Sequence, residues 1–166
     1  MKILEEINKT REYLDYIEEH VLNVQKAWKE IQEKCKDMSF IWDDACYFSI
    51  DNEIKLHDLS KMSEQEFIQY RKTFFPTNEE KEKDKYDISK AWEHHKKHNP
   101  HHWETWTLSN KEQVIHCVCM ICDWMAMAYK FNDTAKRYYE KNKDEILIQS
   151  DMIPFMYEIF NRIEDN

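Results

Sequence analysis

The chain has 166 residues, of which 42% are hydrophobic, 14% aromatic and 34% charged, with a formal net charge of −9. That length suits one domain over residues 1–166, and so many Trp, Tyr and Phe exclude a disordered segment. An acidic surface repels phosphate backbones and anionic bilayers, so neither nucleic acid nor a membrane is an expected partner.

The chain contains no glycine, which rules out a Walker loop, a dinucleotide fingerprint and a serine-hydrolase elbow. Left-handed helix ends then fall to other residues, and Asn99, Asn110 and Asn142 are placed for that role. Five cysteines, an odd number, fit a reducing cytoplasm. The interrupted acidic start Met1-Lys2-Ile3-Leu4-Glu5-Glu6 does not read as a signal peptide, and no apolar run approaches the ~20 residues that span a bilayer.

In chain order, Ile3, Ile7, Leu14, Ile17, Val21, Val24, Trp28, Ile31 and Cys35 keep three-four spacing, which predicts one long helix from about Lys2 to Lys36. A second helix is expected from Phe40 to about Ile50, with a kink at Asp51-Asn52 and a further helical stretch ending near Ser60-Lys61. Ser63-Glu64-Gln65-Glu66 has the form of a capping box and predicts a helix from there to Phe74 or Phe75. Pro76 to Lys85 lacks apolar periodicity and is expected as a charged loop. Tyr86 to His98 reads as a helix stopped by Asn99-Pro100, because a residue before proline is pushed out of helical conformation. Lys111 to Phe131 predicts a second long and strongly apolar helix. Asp133 to Lys143 and a final helix opened by Ser150 or Asp151, with Pro154 in its first turn, complete the chain. The expected fold is all-α, a compact bundle of six to seven helices.

Three cysteines lie close together in Cys117-Val118-Cys119-Met120-Ile121-Cys122. A helix spreads these thiols around its axis and no second cysteine pair follows, so they are expected as small buried apolar side chains rather than zinc ligands. Histidine is distributed differently, with five of the eight falling between His94 and His102. His20 sits three and four residues from Ile17 and Val24, on the core-facing side of the first helix. His57 and Asp58 are adjacent, which puts them about 100° apart if helical and able to share a cation. Asp123 lies in the least polar helix, where a carboxylate needs a cation or strong donors. His94 and His95 diverge likewise, and His98 shares a face with both. His95 and His102 are the favoured ligands of this stretch, followed by His101. His94 and His98 suit outer or surface roles, His116 suits a core histidine ahead of an outer role, and Trp92, Trp103, Trp106 and Trp124 suit core and cleft walls.

The order His20, His57-Asp58, a histidine-rich stretch and then Asp123 resembles the HD-domain superfamily of metal-dependent phosphohydrolases. The resemblance implies a helical fold with one divalent metal on His20, His57, Asp58 and Asp123. In dinuclear members two further histidines join, matching His94 or His95 and His101 or His102 here. It also implies that Lys61 reaches a phosphoryl oxygen, although Ser60 stands where those members have Gly. The chain is similar, more narrowly, to a bacterial and phage family of unknown function. The shared pattern comprises Tyr16-Ile17-x-x-His20, His57-Asp58-Leu59-Ser60-Lys61, Ala91-Trp92-x-His94-His95, Asn99-Pro100-His101-His102-Trp103-Glu104 and Cys122-Asp123-Trp124-x-Ala126-Met127.

The expected metal ligands are therefore His20, His57, Asp58, His95, His101, His102 and Asp123, with Asp58 and Lys61 as catalytic groups. The expected activity is hydrolysis of a small phosphorylated substrate, nucleotide-like in character, by a cytoplasmic protein that holds two divalent ions. Mn, Fe, Zn, Mg and Co all suit such ligands, and a homo-oligomer is compatible with the sequence. Two alternatives share the ligand set: an HD-type diiron oxygenase, and a non-enzymatic phage accessory or inhibitor protein with a structural metal clamp.

Overall fold

The computed structural model describes residues 2–82, 87–106 and 110–164. Among these the chain is all-α, with nine helices and no strand: α1 (Lys2–Lys34), α2 (Ser39–Trp42), α3 (Asp44–Lys55), α4 (Phe67–Phe74), α5 (Asn78–Lys81), α6 (Ser89–His98), α7 (Asn110–Phe131), α8 (Ala135–Asn142) and α9 (Met152–Glu164). Two 3-10 turns, Leu59–Met62 and Trp103–Thr105, add to them.

Nine helices exceed the expected six to seven because side-chain caps cut short elements that apolar periodicity does not register. Asp43 accepts hydrogen bonds from the backbone of Ala45 and Cys46, both at 3.1 Å, and this N-cap separates α2 from α3. α3 then runs unbroken through Asp51-Asn52 and stops at Lys55, short of the expected end. The Ser63 capping box does not form. Ser63 contributes its carbonyl to Glu66 and Phe67, and α4 begins only at Phe67. The capping box lies instead at Thr77 and Glu80, opening α5 inside the expected loop; Lys83, Asp84 and Lys85 of that loop lie outside the described residues, as does Tyr86 of the next expected helix. Left-handed backbone occurs at Asp58 and Asn132, not at Asn99, Asn110 or Asn142. Asx side chains tolerate that conformation because they are short and hydrogen-bond locally.

The chain divides into two compact units. The first comprises residues 1–20 and 58–99 and carries a small apolar cluster of Tyr13, Tyr70 and Ala91, bordered by Tyr16, Ile17, Phe67, Phe75 and Ile88. Much of what it buries is polar. Arg71, 1% exposed, meets Glu80 through two parallel hydrogen bonds of 2.6 and 2.8 Å. Those bonds hold the Glu80 carboxyl down at about 2.

The second unit comprises residues 21–57 and 100–166. α3 packs on α7, and α7 packs on α8 and α9, around a large apolar core that includes Ile31, Ile50, Val118, Ile121, Met156 and Phe160. Residues 117–122 are all buried, and the five cysteines are free thiols. Burial drives the thiols of Cys117, Cys119 and Cys122 well above their ordinary range, so they pack as apolar groups and not as thiolate ligands. Contrary to expectation, Glu112–Phe131 of α7 is long and apolar enough to cross a membrane by length and composition, although most of it is buried within the protein.

Candidate metal centre

In the first unit the site is organised by Asp58. Its backbone is left-handed, at φ 59°, immediately before the 3-10 turn Leu59–Met62. The His57-Asp58 doublet is thus not helical, because α3 has already ended. Asp58 is 2% exposed. His20 Nε2, from α1, lies 3.3 Å from Asp58 Oδ2, and His95 Nε2, from α6, lies 3.3 Å from Oδ1. Lys61, three residues along, donates its ammonium to Oδ2. Both imidazoles are buried, His20 at 6% and His95 at 3% exposure.

The proton inventory shows that these residues suit a cation. His95 Nδ1 lies 2.8 Å from Glu66 Oε2, and a carboxylate only accepts, so the Nδ1 proton belongs to that bond. Burial outweighs the attraction of Asp58 and Glu66 and pushes His95 below its ordinary pKa, with Lys61 adding to the fall. A neutral ring has one proton, already committed to Glu66, and Nε2 faces Asp58 with a lone pair. Two acceptors facing each other across 3.3 Å is an arrangement that a cation between them resolves. His20 and His95 thus set a buried imidazole against each oxygen of the buried Asp58 carboxylate, and all three residues belong to His/Asp groupings that could hold a metal ion.

The surroundings of His95 fix it further. Asn99 donates from its side chain to the Ser60 hydroxyl at 2.7 Å and to the His95 carbonyl at 2.7 Å, tying α6 to the 3-10 turn. The indole of Trp92 stacks on the His95 ring at 5.7 Å, and Tyr70 meets it edge-on at 5.9 Å. His94 turns its Nδ1 to Glu66 at 2.6 Å, while exposed His98 donates to the His94 carbonyl. The Nδ1 atoms of both are thus held by Glu66 and by the helix backbone.

The second unit holds a group of similar composition. His57 Nε2 is 3.5 Å from Asp123 Oδ1, and the His57 ring stacks on His101 at 4.2 Å between centroids. The ligand atoms of His57 lie within 4.8 Å of those of both Asp123 and His101. His101 is buried, while His102, whose ring centroid is 4.3 Å from that of His101, is half-buried. Of the two, His101 is the one stacked on His57. Asp123 is half-buried, with its side chain 20% exposed, so it is less enclosed than the apolar sequence around it suggests. The loop carrying the two histidines is pinned by Trp106, whose indole donates to the Pro100 carbonyl at 2.8 Å. His116, half-buried, bonds to Glu53 at 3.0 Å.

Each predicted ligand therefore lies in a His/Asp group of its own unit: His20, Asp58 and His95 in one, and His57, His101, His102 and Asp123 in the other. Sequence reasoning missed Glu66, which it used as a capping residue, and the side-chain bonds of Asn99, which it used for its backbone at a helix end. The signal for Glu66 was its place one turn before Tyr70 on the apolar face of α4.

The model of a family of unknown function (DUF5662) matches residues 9–162, so the chain belongs to that family. No curated protein and no solved structure matches it.

Proposed function

We propose that this member of DUF5662 is a metal-dependent phosphohydrolase that cleaves phosphomonoesters or phosphodiesters of small, nucleotide-like molecules. The observation that carries the reading is Asp58, with an imidazole Nε2 facing each of its oxygens and the Lys61 ammonium on Oδ2. Each unit contributes one His/Asp group, so the stoichiometry proposed is one divalent ion per group. The likeness of the residue order to HD-domain phosphohydrolases supplies the reaction class.

A divalent ion, when bound, supplies Lewis-acid polarisation of a phosphoryl oxygen and acidifies water. The chain's own residues do the rest. Asp58 presents one oxygen to each imidazole from a left-handed turn, and His20 and His95 hold their Nε2 atoms toward it. Lys61 carries a fixed positive charge beside the carboxylate, positioned to pair with a phosphoryl oxygen as negative charge develops there. Burial of His20, Asp58 and His95 excludes bulk water and strengthens their interactions, while Lys61 is half-buried.

One observation favours a second reading. Two histidines and one carboxylate also suit iron in oxygen-activating proteins, so a diiron oxygenase is the alternative. Elemental analysis of the purified protein is expected to find about two divalent metals per chain, and a nucleotide panel is expected to release phosphate. Iron with oxygen consumption and no phosphate release selects the oxygenase. Asp58→Asn is expected to abolish turnover in a chain that still folds, with a lowered melting temperature; unfolding instead selects a structural metal clamp. A folded, metal-free protein that takes up no metal on titration overturns both enzymatic readings.

A further inference from the structure

Glu66 is 0% exposed, and its two oxygens bond to consecutive histidines of α6, Oε1 to His94 Nδ1 at 2.6 Å and Oε2 to His95 Nδ1 at 2.8 Å. Consecutive helical residues diverge by about 100°, so a helix does not by itself turn two neighbouring rings onto one carboxylate. The carboxylate is the organising partner. As a carboxylate it accepts from both Nδ1 atoms, and in a neutral His95 ring the lone pair is then on Nε2. Of the two, His95 directs its Nε2 at Asp58.

We propose that Glu66 is a positioning residue that fixes His95 as an Nε2 metal ligand by accepting Nδ1 protons from His94 and His95. The proposal rests on the metal-binding reading above and deepens it. Glu66 acts through His95: it sets the tautomer, orients the ring and raises the basicity of the ligating nitrogen. His94, on the other oxygen, restrains the carboxylate from rotating.

Two measurements test this. In metal-free wild-type protein, long-range proton–nitrogen NMR is expected to show His95 protonated at Nδ1; protonation at Nε2 overturns the proposal. In manganese and zinc titrations, Glu66→Gln is expected to weaken binding about 10- to 100-fold, the usual loss when the outer partner of a ligating histidine is removed. His94→Ala, which leaves the bond from His95 to Glu66 in place, is expected to change affinity by less than about 3-fold, well below that range. Wild-type affinity in Glu66→Gln overturns the proposal. Should that variant fail to fold, Glu66→Asp keeps an acceptor: retention of the His95 tautomer with intermediate affinity supports the assignment, and wild-type affinity with a lost tautomer overturns it. If wild-type protein binds neither metal, the functional reading fails, while the tautomer spectrum still decides whether Glu66 sets the His95 ring.

Discussion

The two units bury different kinds of matter. In the second, the interior is apolar surface from α3, α7, α8 and α9, whose stabilisation scales with area and tolerates small losses. In the first, the apolar cluster is small and the interior is filled by Arg71 with Glu80, Glu66 with two histidines, and Asp58 between His20 and His95. Such pairs are directional, and each is worth having only while its partner is present. The difference teaches that the first unit should respond most to pH and single charge deletions, whereas the second, its His57 group aside, should respond mainly to lost volume.

The sharpest way to break the contrast is Arg71→Ala. Leaving Glu80 beside a void without its partner is expected to cost about 3–5 kcal/mol, read as faster amide exchange in α4 and α5. By comparison Ile50→Val in the second unit is expected to cost about 0.5–1.5 kcal/mol. Equal costs would erase the distinction. Next in size is the effect of metal. A divalent ion at a hundred times its dissociation constant is expected to stabilise the folded chain by about 2.7 kcal/mol, reversed by a chelator. An unchanged melting temperature on chelation of a metal-loaded sample contradicts this.

A smaller effect follows from Glu80. Its folded-state carboxyl lies at about 2, lowered first by the hydrogen bonds from Arg71, against an ordinary value of 4.5. The unfolded chain therefore takes up a proton before the folded one does. The contribution is complete above about pH 4.5 and is lost as pH falls toward 2. Acid denaturation followed at amides of α4 and α5 should show this loss, and Arg71→Met should flatten it. The smallest change is expected from Tyr70→Phe. The hydroxyls of Tyr13 and Tyr70 are buried with no hydrogen-bond partner among the described residues. Removing one takes away an uncompensated desolvation cost, so stability is expected to hold or rise by up to about 1 kcal/mol. A fall beyond that in a denaturant titration would show the hydroxyl to be bonded.

Long periodic segments were legible in the sequence. α1 and α7 start and stop within about two residues of expectation, because burial of one continuous face sets their length. α2 and α5, four residues each, were not, since a single cap at Asp43 or Thr77 decides them. The candidate ligands were legible for another reason: His20 and Asp123 are titratable groups among apolar neighbours, which chemistry must explain. Glu66 was hidden by a plausible local alternative. Ser63-x-x-Glu66 satisfies a capping rule on paper, and only the tertiary approach of α6 turns Glu66 toward histidines instead. The two left-handed residues were also misplaced. Without glycine any Asx residue is eligible, and nothing local distinguishes Asp58 and Asn132 from the three asparagines expected.

Asp58 carries a consequence for how freely this sequence can drift. Its position asks for a left-handed backbone, which most side chains resist, and for a short carboxylate aimed between two imidazoles. Gly meets the first demand only, Glu keeps the charge on too long a side chain, and Asn keeps shape while discarding charge. No other residue meets both, so a saturation scan should find position 58 intolerant of all nineteen replacements under selection for metal binding. Its neighbour Leu59, 61% exposed, should accept nearly any of them.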